Sequence, residues 1–190
     1  MDQILDTPEE NVSNLKYASW GSRLGAAILD GLILMVALGV LFFSFIAIIG
    51  LNFMESLQDI QALTSGQAEG AVIAGLAGLI AFVIVLFVGV ILYFSLQESS
   101  AGQATIGKKA VGIIVGKENG ERLTFANALG RYLAKGIGSL ISWVLTAVGL
   151  VSIAPTVSGI YSILNYLWPL WDKKNQALHD KIAKTYVFKK

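Results

Sequence analysis

The sequence predicts an all-α membrane protein with four transmembrane helices. Hydrophobic residues make up 55% of the 190-residue chain and charged residues only 14%, whereas an ordinary soluble domain carries about 25% charged residues. Two apolar runs, residues 24–50 and 71–96, are each long enough as helices to cross a hydrocarbon core of about 30 Å. These two runs define the first and second predicted spans.

The third and fourth spans are expected over residues 133–154 and 156–171, with a turn at Pro155 between them. The fourth span is short, because its length as a helix is only about 24 Å. A shallow helical hairpin is therefore the alternative to two full crossings. A protein with three crossings is disfavoured, because it would place the basic C-terminal tail outside the cell.

The basic residues predict that both termini are cytoplasmic. All 14 arginines and lysines lie before the first span, between the second and third or at the start of the third, or after the fourth, and the acidic connection between spans one and two contains none. They are Lys16 and Arg23; then Lys108, Lys109, Lys117, Arg122, Arg131 and Lys135; then Lys173, Lys174, Lys181, Lys184, Lys189 and Lys190. Because topology explains this distribution, we expect no nucleic-acid partner.

Two further segments complete the predicted organisation. Residues 1–19 are expected to form an acidic, mobile tail, followed by a single membrane domain over residues 20–190. Residues 108–125 predict a small cytoplasmic β-hairpin, because apolar residues alternate there and Asn119-Gly120 is a strong hairpin signal. The β-prone segment 185–188, within the basic tail 172–190, could add a strand to it.

Asp30 is the candidate functional residue, because it is the only charged side chain in the first apolar run. An aspartate near the centre of a membrane helix costs roughly 2.5–3.5 kcal/mol to insert, so it should face protein or water and have a partner. Arg23 lies two helical turns away, about 10 Å along the axis, so the two cannot pair directly. The remaining candidate partners in this charged cluster are Arg131, Lys135, Asp172 and Asp180. We expect Asp30 to face Lys135 or Arg131, and Arg23 to face Asp180.

Several short segments resemble the RDD family, whose name denotes one arginine and two aspartates. The resemblance lies in Arg23 and Asp30 of span one, QATIGKKAVGIIV (Gln103 to Val115), Arg131-Tyr132-Leu133, and LHDKIA (Leu178 to Ala183). It extends from about Trp20 to Val187 and implies that the second aspartate is Asp180. The chain departs from the family at Lys184, where similar proteins often have glycine.

The resemblance implies a multi-pass protein of a bacterial-type plasma membrane, and family members have been linked to cation or proton exchange. Asp30 would then bind a proton or monovalent cation in alternation with an internal base. Two alternatives remain: Asp30 as a permanent ion-pair link between helices, and a non-transporting scaffold or regulatory partner of another envelope protein. A homo-oligomer is plausible for so small a transporter, and the C-terminal lysines are expected to bind anionic lipids.

No enzyme is predicted, because the sequence contains no nucleophile with a base and no phosphate-binding glycine loop. His179 is the only histidine and has no second ligand at a metal-binding spacing, so it is expected to support the cluster through contacts. Zero cysteines exclude thiolate sites and disulfides. The sequence thus predicts no metal and no cofactor.

Overall fold

The computed structural model describes residues 15–58 and 67–190, and the protein is mostly helical in these ranges. The helices are α1 (Trp20–Gln58), α2 (Gln67–Glu98), α3 (Ile106–Val111), α4 (Phe125–Lys135), α5 (Ile137–Ala147), α6 (Ala154–Leu167) and α7 (Leu178–Ile182), with a 3₁₀ turn at Trp168–Leu170. The strands are β1 (Ile113–Gly116) and β2 (Tyr186–Lys189).

Helices α1 and α2 are long and apolar enough to span a membrane. The stretches Trp20–Leu51 and Val72–Glu98 meet this condition, and most of their large apolar side chains are exposed. The prediction of two long apolar helices at these positions is confirmed, although each helix extends beyond the predicted run. The external connection expected around residues 59–66 lies outside the described residues.

The third and fourth predicted spans differ from the helices observed. The third predicted span begins inside α4, which ends at Lys135, and Gly136 separates α4 from α5. Helix α5 has 11 residues and α6 has 14, so they rise only about 16 and 21 Å. A continuous helix over residues 133–154 is therefore wrong, and the four-crossing arrangement stays a prediction.

The predicted hairpin over residues 108–125 is also wrong. Its first residues are helical, because α3 continues to Val111 and ends at Gly112, whose φ of 73° suits a residue without a side chain. Strand β1 pairs antiparallel with β2, from Ile113 opposite Lys189 to Gly116 opposite Tyr186. Residues 117–121 do form a turn, with the Lys117 amide donating to Glu121 O at 2.9 Å. No strand directly follows this turn. The partner of β1 is instead β2, the additional strand expected near the C-terminus.

The chain divides into two compact units, residues 1–30 with 91–190, and residues 31–90. The described part of the first unit holds the small apolar core, made by Ala18, Ala26, Ile113, Val115, Leu123, Ala128 and Val187. Of the expected mobile tail, residues 1–14 lie outside the described residues. Residues 15–19 contribute a β-bridge from Tyr17 to Phe188 and the buried Ala18.

In the second unit, Phe45 and Phe82 stack with their ring centroids 4.0 Å apart.

Candidate functional site

Asp30 is buried, with 2% of its surface exposed, and three neutral groups donate hydrogen bonds to it. The Thr105 hydroxyl donates to Oδ2 at 2.5 Å, the Gly107 amide donates to Oδ1 at 2.8 Å, and the Tyr93 hydroxyl donates to Oδ1 at 3.1 Å. Its carboxylate oxygens are therefore held by two hydroxyls and one backbone N–H.

The local sequence explains how α3 meets Asp30. Thr105 is the N-cap of α3, and its hydroxyl accepts from the Lys108 amide at 3.4 Å while donating to Asp30. Gly107 lets the start of α3 lie against the backbone of α1: a Cβ at this position would stand 2.4 Å from Ala26 O and 2.8 Å from the Asp30 amide. Only glycine fits without a shift of one helix.

A second set of side chains forms what we call the buried ionic network. Its members alternate in charge and come from five helices. They are Lys108 (α3), Glu98 (α2), Arg131 (α4), Asp180 (α7) and Arg23 (α1), in order of contact.

The contacts in this network are short. Arg131 Nη1 lies 2.6 Å from Glu98 Oε2 and its Nη2 lies 2.7 Å from Asp180 Oδ1. Arg23 Nη1 lies 2.5 Å from Asp180 Oδ2, and Lys108 Nζ pairs with the other oxygen of Glu98. Arg131 thus joins two buried carboxylates, each of which also contacts a second cation.

Burial and partner charges shift the ionisation of the network in opposite directions. Burial alone would raise the pKa of Asp180, but Arg131, His179 and Arg23 hold that pKa well below its usual range. Burial opposes the charge of Arg131 as well, yet Asp180 and Glu98 raise its pKa above the ordinary value. Burial lowers the pKa of Lys108 to about 7, even though Glu98 favours its charged form. Lys108 is thus the network member whose proton is most easily lost near neutral pH.

Asp180 also organises the start of α7. Its Oδ2 accepts from the Ala177 amide at 3.1 Å, and its backbone oxygen accepts from the Thr185 amide at 2.9 Å. Beside it, Asn165 Oδ1 accepts from the His179 amide and contacts His179 Nδ1, each at 2.9 Å. The other ring nitrogen, Nε2, lies 3.2 Å from Asp180 Oδ1. Burial lowers the pKa of His179 well below its ordinary value.

The structure confirms one expected contact and contradicts another. Arg23 pairs with Asp180, as expected. Asp30 does not pair with Arg131, which binds Glu98 and Asp180, or with Lys135, whose Nζ lies over the rings of Phe94 and Tyr132 at 5.1 and 5.6 Å from their centroids. Thr105 and the Gly107 amide reach Asp30 because α3, whose last residues fell within the predicted hairpin, presents its N-terminus there.

Asp172 lies outside the buried ionic network. It pairs with Lys181, and its Oδ2 accepts from the amides of Lys174 and Gln176 at 3.1 and 2.9 Å. Asp172 therefore shapes the turn before α7.

Several site residues escaped the sequence analysis. Glu98 falls just past the second apolar run, although a carboxylate that close to a span was itself a signal. Thr105, Gly107 and Lys108 lie inside the segment that carried the family resemblance, but their roles need the fold of α3. Tyr93 and Asn165 gave no signal, because single polar residues in apolar helices are common.

The arrangement suits proton or cation binding better than covalent chemistry. A hydroxyl donates or accepts, so the partners of Asp30 are compatible with a carboxylate and with a carboxylic acid. Carboxylate and hydroxyl oxygens are also the ligands that hard cations prefer. Across the described residues, no group of three or more His, Cys, Asp or Glu side chains is placed to hold a metal ion.

Two long apolar helices and a buried aspartate beside an ionic network define a membrane-type protein with an internal polar site. The RDD family model matches residues 17–184. The chain therefore belongs to the RDD family, and the resemblance drawn from Arg23, Asp30 and Asp180 is confirmed.

The chain is 32% identical over 104 residues to "Uncharacterized protein YxaI" of Bacillus subtilis (strain 168), an alignment that covers 55% of each protein. The match thus spans about half the length of that relative. No solved structure gives a significant match.

Proposed function

We propose that this protein is a multi-pass plasma-membrane exchanger in which Asp30 binds a proton and a small monovalent cation alternately. The observation that carries the proposal is the set of partners around Asp30: two hydroxyls and one amide, with no base in direct contact among the described residues. A lysine or arginine partner could not accept a hydrogen bond from a protonated aspartate. A hydroxyl can.

The exchange would need only small movements at the site. When Asp30 takes up a proton, Oδ2 donates to Thr105 Oγ1, whose own hydroxyl hydrogen turns away; Oδ1 continues to accept from the Gly107 amide. When the proton leaves, a monovalent cation binds the carboxylate and the hydroxyl oxygens of Thr105 and Tyr93. Either occupant neutralises Asp30, which is the requirement for one-for-one exchange at a single site.

The buried ionic network would hold the helices around Asp30 during exchange. It joins five helices by paired charges, and breaking such a pair strands a charge away from water. We therefore place Arg23, Arg131 and Asp180 in a supporting role. This replaces the exchange between Asp30 and an internal base that the sequence suggested.

The proposal includes a membrane orientation and partners. Both termini are cytoplasmic, as the basic residues predict, and the exposed lysines of the C-terminal segment face the anionic leaflet; they are Lys173, Lys181, Lys184, Lys189 and Lys190. A homo-oligomer would enclose a path for the ion.

A flux assay with purified full-length protein in liposomes tests the proposal. A sodium or potassium gradient should drive proton movement, reported by a pH-sensitive dye inside the vesicles. Asp30→Asn should abolish it, because the neutral amide cannot exchange a proton. Asp172→Asn is the matched control, since Asp172 lies outside the buried ionic network, and should keep the flux.

One observation favours a second function, a non-transporting scaffold. Thr105, Gly107 and Tyr93 together fasten α1, α2 and α3 through Asp30, as a purely structural carboxylate would. Native protein that is folded but shows no flux would reject exchange at Asp30 and leave the scaffold as the better account. Flux that is retained in Asp30→Asn would also reject exchange at Asp30.

A further inference from the structure

The segment from α5 to α6 carries no charged side chain between Lys135 and Asp172. Its helices are antiparallel neighbours: a Cβ on Gly138 would lie 2.8 Å from the Tyr161 ring and 3.2 Å from Ser158 O. The outer surface is apolar, with Trp143 77%, Val144 63% and Ile163 60% exposed. A surface of this kind belongs in lipid and not in water.

Neither helix of the hairpin is long enough for a full crossing by itself. Helix α5 rises about 16 Å and α6 about 21 Å, whereas a hydrocarbon core is about 30 Å thick. In an arrangement without full crossings, both charged ends, Lys135 and Asp172, would lie on one side of the membrane, and the turn would lie at the depth of the acyl chains.

The backbone hydrogen bonds of the turn suit an environment without water. Gly149, at φ 86°, closes α5 with a Schellman motif: the Leu150 amide donates to Leu145 O at 2.8 Å and the Gly149 amide to Thr146 O at 3.1 Å. Leu150 O then accepts from the amides of Ile153 and Ala154 at 3.3 and 3.2 Å. Most amides of the turn are thus satisfied within it, as hydrocarbon requires.

Residues next to the turn follow the same rule. Pro155 occupies the first turn of α6, where an ordinary residue would leave an amide without a partner. The hydroxyls of Thr146 and Ser162 donate to the carbonyls four residues earlier, at 2.8 and 2.9 Å.

The base of the hairpin, where α5 begins and α6 ends, is joined to the polar site by hydrogen bonds. Tyr161 donates to Ala134 O at 2.8 Å, Asn165 binds His179, and Tyr166 O accepts from the Trp20 ring at 2.9 Å. The base therefore stays with the buried ionic network while the tip extends away.

From these observations we propose that residues 137–167 form a re-entrant hairpin whose tip is covered by lipid acyl chains and whose two ends lie on the cytoplasmic side. The proposal rests on the membrane location given above, and it holds whether or not Asp30 exchanges ions. It replaces the third and fourth crossings.

The absence of cysteine from the sequence gives a direct test, because each single substitution adds the only thiol. Ser152→Cys and Val151→Cys mark the tip, Ser65→Cys the predicted external connection, and Asn119→Cys the cytoplasmic turn. Full-length variants are treated with a membrane-impermeant maleimide in intact cells and in inside-out vesicles. The two tip thiols should resist labelling from both faces, and each control thiol should be labelled from its own face only.

A second measurement identifies what covers the tip. An environment-sensitive fluorophore attached at position 152 in liposomes should be quenched more by lipids with a mid-chain spin label than by lipids with a headgroup label. Labelling of the tip from outside would show a full crossing and overturn the proposal. Stronger headgroup quenching, or none from either lipid, would also overturn it, because the tip would then lie at the surface or against protein. Control thiols labelled from the same face would reject the membrane topology itself.

Discussion

Replacing Asp180 tests whether the buried ionic network stabilises the fold. Asp180→Asn keeps the shape of the side chain but leaves Arg23 without its carboxylate and Arg131 with only Glu98. Because a guanidinium cannot lose its proton in a protein, it stays charged and buried. Breaking a buried pair in this way costs about 3–5 kcal/mol.

Glu98→Gln should cost less, and the difference is the informative part. Arg131 keeps Asp180 in this variant, and Lys108, whose pKa is already lowered to about 7, can release its proton and remain neutral. Two substitutions that each remove one buried carboxylate should therefore differ in effect at pH 8, with Asp180→Asn the more severe.

Thermal unfolding of the purified protein in one detergent at pH 8 measures both effects. For a chain of this size, 1 kcal/mol corresponds to about 2–4 °C in Tm, so Asp180→Asn should lower Tm by roughly 6–20 °C. Glu121→Gln is the control, because Glu121 and Lys117 form an exposed pair that should leave Tm unchanged. An unchanged Tm in Asp180→Asn, or a greater loss in Glu98→Gln, would refute the role given to the network.

Three further changes act on neighbouring contacts. Gly107→Ala should lower stability by about 1–3 kcal/mol, because its Cβ would collide with the backbone of α1. Gly130→Ala places its Cβ in open space and should be neutral or stabilising. Thermal melting curves compare the two variants. Tyr93→Phe removes one donor to Asp30 and should cost about 0.5–1.5 kcal/mol in the same assay. Because the pKa of Lys108 is lowered in the folded protein, the unfolded chain keeps a proton there that the folded protein releases above pH 7. The free energy of unfolding should therefore rise from pH 7 to 9, and it should rise less in Lys108→Met. An equal rise in both proteins would contradict the last expectation.

Local sequence patterns predicted the long helices and part of the site. Apolar runs located α1 and α2, because a membrane helix needs only a long stretch of hydrophobic residues. The pairing of Arg23 with Asp180 could be expected, since few acidic residues were available as partners.

Features that depend on distant pairing could not be predicted. Strand β1 pairs with β2, more than 70 residues later in the chain, so its alternating pattern looked like half of a local hairpin. The partners of Asp30 were misassigned because charge alone was considered, whereas Thr105 and the Gly107 amide reach it through the cap of a helix only six residues long. Hydropathy located the apolar residues of α5 and α6, but Gly136 and Gly149 divide that run into two short helices.

An infrared difference spectrum most directly tests whether Asp30 exchanges a proton for a cation. Liposomes containing the protein are measured before and after sodium or potassium is added at constant pH, and the carbonyl band of protonated carboxylic acids is followed. Exchange at Asp30 predicts that the cation removes one such band in the native protein and that Asp30→Asn shows no corresponding change. A band that is unaffected by the cation, or a cation-dependent band that persists in Asp30→Asn, would contradict exchange at this residue.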